Sequence, residues 1–369
     1  MKIVCDMSVL ELPVTGVGKA VVGLYDACFK RLYEFEATAV HRRPLKTRLN
    51  PRFIQQQKGS YLPDTLWRKF ILPAMVKRSG STWVHFPWSG HVPRLPAGVN
   101  VTTTLHDVLP LIIPGYFKGI NEEKNYRERI QQDIDRTHLL FTDSEFSKKE
   151  ILRNFDVRSE PVVLMLASTL DTGQITPEPK NDPRANYFFY VGGSDQRKGL
   201  EQLVRVFARL HSEKNLKSKL LIAGDKRFIS AECEHHLDVL RSLTAVEELG
   251  YISDHELAHR LKGAVALVYP SKFEGFGLPP LEAMSLGCPV ITTRCTSLPD
   301  ICGDAAWYID PDDEESFVQS LIALSSDPSR RNELKEKGLK QAAKFSWDRT
   351  AEQFLNQLQS VEQGQSNQT

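Results

Sequence analysis

The sequence is poor in the features that announce a secreted, membrane-spanning or metal-binding chain. Six cysteines are scattered over 369 residues, with no C-x-x-C and none grouped with histidine at ligand spacing. Cys5, Cys28, Cys288 and Cys295 sit in or beside apolar runs, the pattern of buried thiols in a reducing cytosol rather than a disulfide framework or zinc site. No run of about 18 apolar residues exists, so no hydrophobic helical span is expected. The opening residues MKIVCDMSVL are too short and interrupted for a signal peptide and read as a first buried strand, so a cytoplasmic location is expected. An excess of one charge is missing too: 47 Lys and Arg face 46 Asp and Glu, a net charge of +1. Nothing global then points to nucleic acid, and no nucleic-acid partner is expected.

What is present is ordinary globular composition, 41% hydrophobic and 25% charged, in a chain long enough for two α/β domains. Short β-rich runs (KIVCD, ATAVH, TWVHF, VTTTLHD, HLLFTDS, PVVLML, then YFFYVGG, KLLIAGD, VEELGYI, AVALVYP, CPVITT, AAWYID) alternate with helical patterns such as GKAVVGLYDACFKRLYEF, NYRERIQQDIDRTH, SKKEILRNF, LEQLVRVFARLHSE and DHELAHRLKG. Strand–helix–strand order repeated in both halves predicts an α/β fold of two doubly wound, Rossmann-like parallel sheets facing a cleft. The expected domains are 1–170 and 185–345, with an amphipathic C-terminal helix over 346–362 that can pack back on the first. The polar, proline-bearing stretch 168–186 is the linker candidate. Ligands of such sheets bind beyond the carboxyl ends of the strands.

The stretch SKFEGFGLPPLEAMSLGCPVI, residues 271–291, follows a strand in this way. Gly275 and Gly277 let a backbone approach a ligand closely. Pro279 and Pro280 suit a first helical turn, and Gly287 a helix end. The free amides and positive end of that helix favour an anion, most simply a phosphate. Glu282, expected in the first turn, then suits ribose hydroxyls, and Glu274, before the turn, another hydroxyl-rich group. Taken singly, each glutamate is equally an acid stabilising a helix dipole.

EGFGLPPLE resembles the E-x7-E motif of the retaining glycosyltransferases of family 4, which have the GT-B fold. FFYVGGSDQRKGLEQLVRVFARL, LLIAGD, ELGYISDHEL and FSWDRTAEQFL fall in that family's order, and TGVGKA, TTTLHDVLPLIIPGYF and TDSEFSKKEI match it more loosely. The last two resemble mannosyltransferases of bacterial surface polysaccharide synthesis. The resemblance implies that Glu274 contacts the donor sugar, Glu282 holds the ribose, and Arg197 and Lys198 stabilise the leaving diphosphate. It implies a catalytic role for His106, at a strand's carboxyl end, with Asp107 orienting the ring or capping the next turn. It places Gly16 and Gly18 in a phosphate or acceptor loop, where Thr15 replaces the family's first glycine. Gly193, Gly275, Phe276, Gly277 and Leu278 line the donor site, and the base lies near Gly250 and Tyr251.

The function implied is transfer of a sugar with retention, without cofactor or metal, onto a glycan or lipid-linked acceptor. GDP-mannose as donor rests on the resemblance alone, and UDP- or dTDP-sugars stay open. So do a nucleotide-sugar epimerase and a non-catalytic nucleotide- or glycan-binding protein. Ser144 reads as a helix N-cap as readily as a site residue. Asp133-x-Asp135 has the form of a metal motif, but its helical context reads as a solvated face. Residues 41–80 carry ten Lys/Arg against Asp64 alone. Within them, LWRKFILPAMVKR places Leu66, Trp67, Phe70, Ile71 and Met75 among Arg68, Lys69, Lys77 and Arg78, a pattern that suggests peripheral binding to an anionic membrane and equally suits apolar residues packed into the first domain with solvated bases around them.

Overall fold

Strand pairing in the structure, a computed structural model, is parallel throughout. It describes residues 1–12, 16–32, 34–59, 61–170, 186–225, 227 and 229–366. The chain divides into two units, one of Met1–Ala167 with Ser346–Thr369 and one of Ser168–Phe345. Most of the linker candidate 168–186 lies outside the described residues.

The first unit has a seven-stranded sheet in the order β3-β2-β1-β4-β5-β6-β7. Its strands are β1 (Lys2–Asp6), β2 (Glu36–His41), β3 (Ile54–Gln57), β4 (Trp83–Phe86), β5 (Asn100–Thr104), β6 (Leu139–Thr142) and β7 (Val162–Val163). Central strands such as β1 and β4 are buried nearly end to end, as parallel strands covered on both faces must be. The edge strand β3, IQQQ, is largely exposed; with no apolar alternation it gave no strand signal in the sequence. One face of the sheet is covered by α1 (Gly16–Arg31) and α13 (Trp347–Ser366). In α13, Ala351, Phe354, Leu355 and Leu358 are buried, the i, i+3, i+4, i+7 stripe of an amphipathic helix. The two helices approach closely at Gly23, where an added Cβ would lie 2.6 Å from the Trp347 ring. α4 (Ile120–Asp135) and α5 (Glu145–Asn154) belong to the same unit, and Ser144 caps α5 by accepting from Ser147 N at 3.1 Å.

The basic segment folds differently from a simple membrane-facing helix. α2 (Asp64–Leu66) runs through a π-helical turn (Trp67–Ile71) into α3 (Leu72–Ser79). Trp67 is fully buried and donates from Nε1 to Lys58 O at 2.7 Å, so it is no interfacial anchor. Arg68 is buried too. Its guanidinium reaches Asp6 at 2.6 Å, Asp64 at 2.9 Å and Ser8 Oγ at 2.9 Å. A buried arginine is tolerated when its donors are met in this way, and it is thereby removed from any surface.

The second unit has a six-stranded sheet in the order β10-β9-β8-β11-β12-β13. These are β8 (Tyr187–Val191), β9 (Lys219–Ala223), β10 (Val246–Gly250), β11 (Ala266–Tyr269), β12 (Val290–Thr293) and β13 (Trp307–Ile309). The helices are α6 (Leu200–Ser212), α7 (Ala231–Ser242), α8 (Asp254–Gly263), α9 (Leu278–Ser285), α10 (Leu298–Cys302), α11 (Glu314–Ser326) and α12 (Pro328–Ala342). Leu203, Val206, Phe207 and Leu210 of α6 pack on Phe188, Leu220 and Ile222 in a core of this unit. α7, AECEHHLDVLRS, escapes sequence reading because it buries only Cys233, Leu237 and Leu240. The sheet order reverses direction between β8 and β11, which pair at Ala266↔Phe188 and Leu267↔Phe189. Such a reversal leaves a crevice beyond the carboxyl ends of the two strands.

Candidate functional site

The two loops that flank this crevice carry Arg197, Lys198 and Glu274. After β8, Asp195 accepts from Arg197 N at 3.0 Å and starts a short 3-10 turn, Gln196–Lys198. Gly199 closes it with φ +71°, and an added Cβ there would lie 2.4 Å from Pro270 O. Glycine is therefore required, and the close approach brings Lys198 against the loop that follows β11. Arg197 Nη1 donates to Phe273 O at 2.8 Å, fastening the same two loops.

At the centre lies Glu274, buried beside its cations. Lys198 Nζ donates to Glu274 Oε1 at 2.6 Å and to Tyr269 Oη at 2.9 Å, and Tyr269 Oη donates to the same Oε1 at 2.7 Å. Arg197 Nη1 stands 3.8 Å from Oε2. Burial alone would raise the Glu274 carboxyl, but Lys198 and Arg197 hold it below the ordinary glutamate value. Burial lowers the Lys198 ammonium, and Glu274 offsets part of that. Burial and Glu274 push the Tyr269 phenol well up, so it stays a donor. An ammonium has three donors; Glu274 and Tyr269 take two, which leaves the third for an anion.

The turn between the two glutamates is pinned from below. Glu274 N donates to Thr296 Oγ1 at 2.9 Å, and Ser297 Oγ lies 2.9 Å from Glu274 O and 2.7 Å from Phe276 O. Gly277, at φ +119°, precedes α9, and Pro279 and Pro280 fill its opening turn. Gly275, Phe276, Gly277 and Leu278 thus lead into the amino end of that helix. Glu282 is a correction to the sequence reading: α9 begins at Leu278, so Glu282 is its fifth residue and opens the second turn. It is buried and accepts from Thr169 Oγ1 at 2.9 Å. At the end of β8, Tyr190 Oη donates to Gly193 O at 2.8 Å. Tyr251 follows Gly250 (φ +66°) and is 84% exposed.

Sequence reasoning missed Tyr269, Tyr190, Thr169, Thr296 and Ser297. Tyr269 carried a usable signal, since it ends a strand at the edge where ligands bind. The hydroxyl residues carried none, because their partners lie far away in sequence.

His106, Gly16 and Gly18 belong to the first unit. Thr15 lies outside the described residues. Gly16 and Gly18 are the first and third residues of α1, not a loop before it. His106 follows β5. Its Nδ1 is 2.5 Å from Asp143 Oδ2 and its Nε2 is 2.8 Å from Pro87 O. Both neighbours are acceptors, so only the doubly protonated ring satisfies both. Burial would lower the imidazole, but Asp143, the Pro87 carbonyl and Asp107 raise it to about 9. The ring is oriented by Asp143; Asp107 instead caps the next turn by accepting from Leu109 N at 3.0 Å. With both nitrogens engaged, a sugar contact through the His106 ring needs one bond to give way. Beside it, His85 is held neutral by burial, with a value of about 3, between Tyr25 Oη at 3.0 Å and Thr104 Oγ1 at 2.9 Å.

Asp133 is likewise not on a solvated face. It is buried and accepts from Val92 N at 2.7 Å and His91 N at 3.2 Å, so it anchors the loop after β4. No group of His, Cys, Asp and Glu suited to a metal occurs among the described residues.

Two doubly wound parallel sheets, with a paired carboxylate and cations at the second one's reversal point, are the architecture of GT-B glycosyltransferases. The chain belongs to the family of glycosyl transferases group 1, whose model matches residues 171–341. It is 31% identical over 273 residues to O-antigen chain mannosyltransferase B of Escherichia coli, covering 70% of this chain and 69% of that one. It is 28% identical over 234 residues to O-antigen chain mannosyltransferase RfbU of Salmonella typhimurium, covering 63% of each; the match spans a little under two thirds of that relative. Sucrose-phosphate synthase from Thermosynechococcus elongatus shares the fold, with a TM-score of 0.76 at 18% identity over 98% of this chain and 99% of that one. The protein is thus a glycosyltransferase, and the epimerase and binding-only readings are not favoured.

Proposed function

We propose that the protein is a retaining mannosyltransferase that takes mannose from GDP-mannose and adds it to a glycan or lipid-linked glycan. The observation that carries the reading is the Glu274–Lys198–Arg197 cluster at the reversal of the second sheet, beside the amino end of α9. Likeness to two O-antigen chain mannosyltransferases supports the sugar. The diphosphate lies against Lys198, Arg197 and the α9 amides, Glu282 takes the ribose, and Glu274 takes the donor sugar. Tyr251, next to Gly250, lies at the base. The first unit takes the acceptor. As the bond from sugar to phosphate breaks, negative charge grows on the leaving diphosphate, and the two fixed cations stabilise it most at that point. The acceptor hydroxyl bonds to the anomeric carbon on the face the phosphate leaves, and its proton passes to the phosphate oxygen. No metal is required in this scheme. The test is a thermal-shift screen of GDP-, UDP- and dTDP-sugars followed by turnover with the stabilising donor. Stabilisation and turnover with GDP-mannose support the reading; both with a UDP- or dTDP-sugar alone overturn the mannose assignment.

A lipid-linked acceptor would bring the protein to an anionic membrane, and the exposed part of the basic segment supports peripheral contact there. Leu66 and Phe70 are 42% and 58% exposed, four residues apart, with the Lys69 ammonium 5.3 Å from the Phe70 ring centre. Lys69, Lys77 and Arg78 are exposed; Trp67 and Arg68 are not part of the face. Each such cation contributes roughly 1 kcal/mol at an anionic surface at low salt. No helix among the described residues is long and apolar enough to cross a membrane. Co-sedimentation with phosphatidylglycerol vesicles should weaken with salt and with Lys69, Lys77 and Arg78 changed to Gln; no sedimentation even at low salt removes the membrane from the proposal.

A further inference from the structure

We propose that Tyr269 is a positioning residue for the transfer reaction, its hydroxyl fixing the Glu274 carboxylate and the Lys198 ammonium in one geometry. The inference rests on the reading of Glu274 as the donor-sugar contact. Three groups from two loops and a strand end meet in a closed triangle, with edges of 2.6, 2.7 and 2.9 Å. Tyr269 is the only member carried by the sheet itself. β11 is paired on both sides, to β8 and β12, and the phenol is fully buried, so its oxygen is a rigid reference point. Glu274 and Lys198 belong to loops, and their long side chains have the rotamer freedom that a single shared contact would not remove. The phenol is doubly engaged: it donates to Oε1 and accepts from Nζ. Glu274 thereby receives two donors on one oxygen, and its orientation is set before a substrate arrives.

The hydroxyl also bears on the charge of Glu274. The groups facing that carboxylate are Lys198 and Arg197 from the loop after β8, with Asp195 behind them, Tyr190 from β8, and Tyr269 and Ser271 from β11 and its loop. Of these, Lys198, Arg197, Tyr269 and Ser271 favour the ionised form. Losing one donor raises the carboxyl toward the ordinary glutamate range or above it, since a hydrogen bond to a carboxylate stabilises the anion.

The test is Tyr269→Phe, which keeps the ring and its packing and deletes the oxygen, beside Glu274→Gln and the wild type. The expected result for Tyr269→Phe is a kcat lower by roughly tenfold, as for loss of a hydrogen bond to a charged group. Affinity for free nucleoside diphosphate should fall by less than kcat does, because Lys198 keeps its bond to Glu274 and Arg197 is untouched. The acid limb of kcat, set by ionisation of the Glu274 carboxyl, should move up by roughly half to one pH unit. A merely structural tyrosine would lower the melting temperature and leave that limb in place. Wild-type kcat and pH profile in Tyr269→Phe, with turnover lost in Glu274→Gln, overturns the inference. Turnover retained in Glu274→Gln overturns the underlying reading of Glu274 instead. Retained binding of free nucleoside diphosphate by Tyr269→Phe shows that the variant is folded, so the changes in kcat and its acid limb are read on an intact protein.

Discussion

Replacing Lys198 with methionine perturbs stability and catalysis through one contact. The methionine fills most of the lysine's volume but leaves Glu274 without its 2.6 Å partner. Both side chains are largely buried, so the loss belongs with breaking a buried pair, about 3–5 kcal/mol at neutral pH. Tyr269 keeps one hydrogen bond to Oε1, which places the effect near the lower figure. For a unit of 150–250 residues this lowers the melting temperature by roughly 6–12 °C. The pH dependence distinguishes this account from a packing defect. In the wild type the Glu274 carboxyl is held low, so its contribution is present above the unfolded glutamate value of 4.5 and is lost as pH falls through the folded one. In Lys198→Met burial prevails and the carboxyl rises, so the variant is penalised most at neutral pH and recovers as pH falls toward 5. The assay is thermal melting of both proteins from pH 5 to 8. Glu274→Gln added to Lys198→Met should restore part of the loss, because the orphaned charge is gone. A melting gap of under 2 °C at pH 7.5, or one that does not narrow toward pH 5, refutes the reasoning.

The roles of the two glutamates separate by calorimetry and turnover: Glu282→Ala should weaken free nucleoside diphosphate by at least about tenfold, whereas Glu274→Ala should bind it nearly as the wild type does and lose turnover. Equal loss of affinity in both contradicts the division. Arg197→Gln should lower kcat and raise KM for the donor together, since its charge matters in both states but more as the bond breaks; a change in KM alone would remove it from the leaving-group role. Activity should persist in EDTA, and its abolition with restoration by Mg²⁺ or Mn²⁺ would show a metal requirement. For His106, the folded value is raised from 6.5 to about 9, so its contribution is full below pH 6.5 and is lost as pH rises through about 9. Imidazole NMR should show a ring still protonated at pH 7.5 in the wild type and neutral in Asp143→Asn; a ring neutral in both contradicts the pairing.

The strands and most of the helices were legible because their causes are local. β1, β8 and β11 are continuous apolar runs, α6 keeps a strict helical stripe, and the turn into α9 is written in Gly277, Pro279 and Pro280. Two of the exceptions share a cause: β3 is a polar edge and α7 buries three side chains, so neither has a pattern to read. Long-range pairing was not legible. Arg68 looked like a surface base until Asp6, 62 residues away, met it in the interior, and a charged block is a surface only if nothing in the fold neutralises it. Asp133 looked solvated until the loop after β4 turned its amides onto it. The first and last corners of the E-x7-E stretch were visible in the sequence, but their partners were not. Lys198 and Tyr269 are 71 residues apart, and Thr169 and Glu282 are 113 apart. Residue type and spacing determine which groups stand at a strand's end and which helix follows. Which of them share a proton or hold one another's charge depends on the parallel register of β8 and β11, and only tertiary structure sets that, because contact between chain-distant side chains has no local energetic trace.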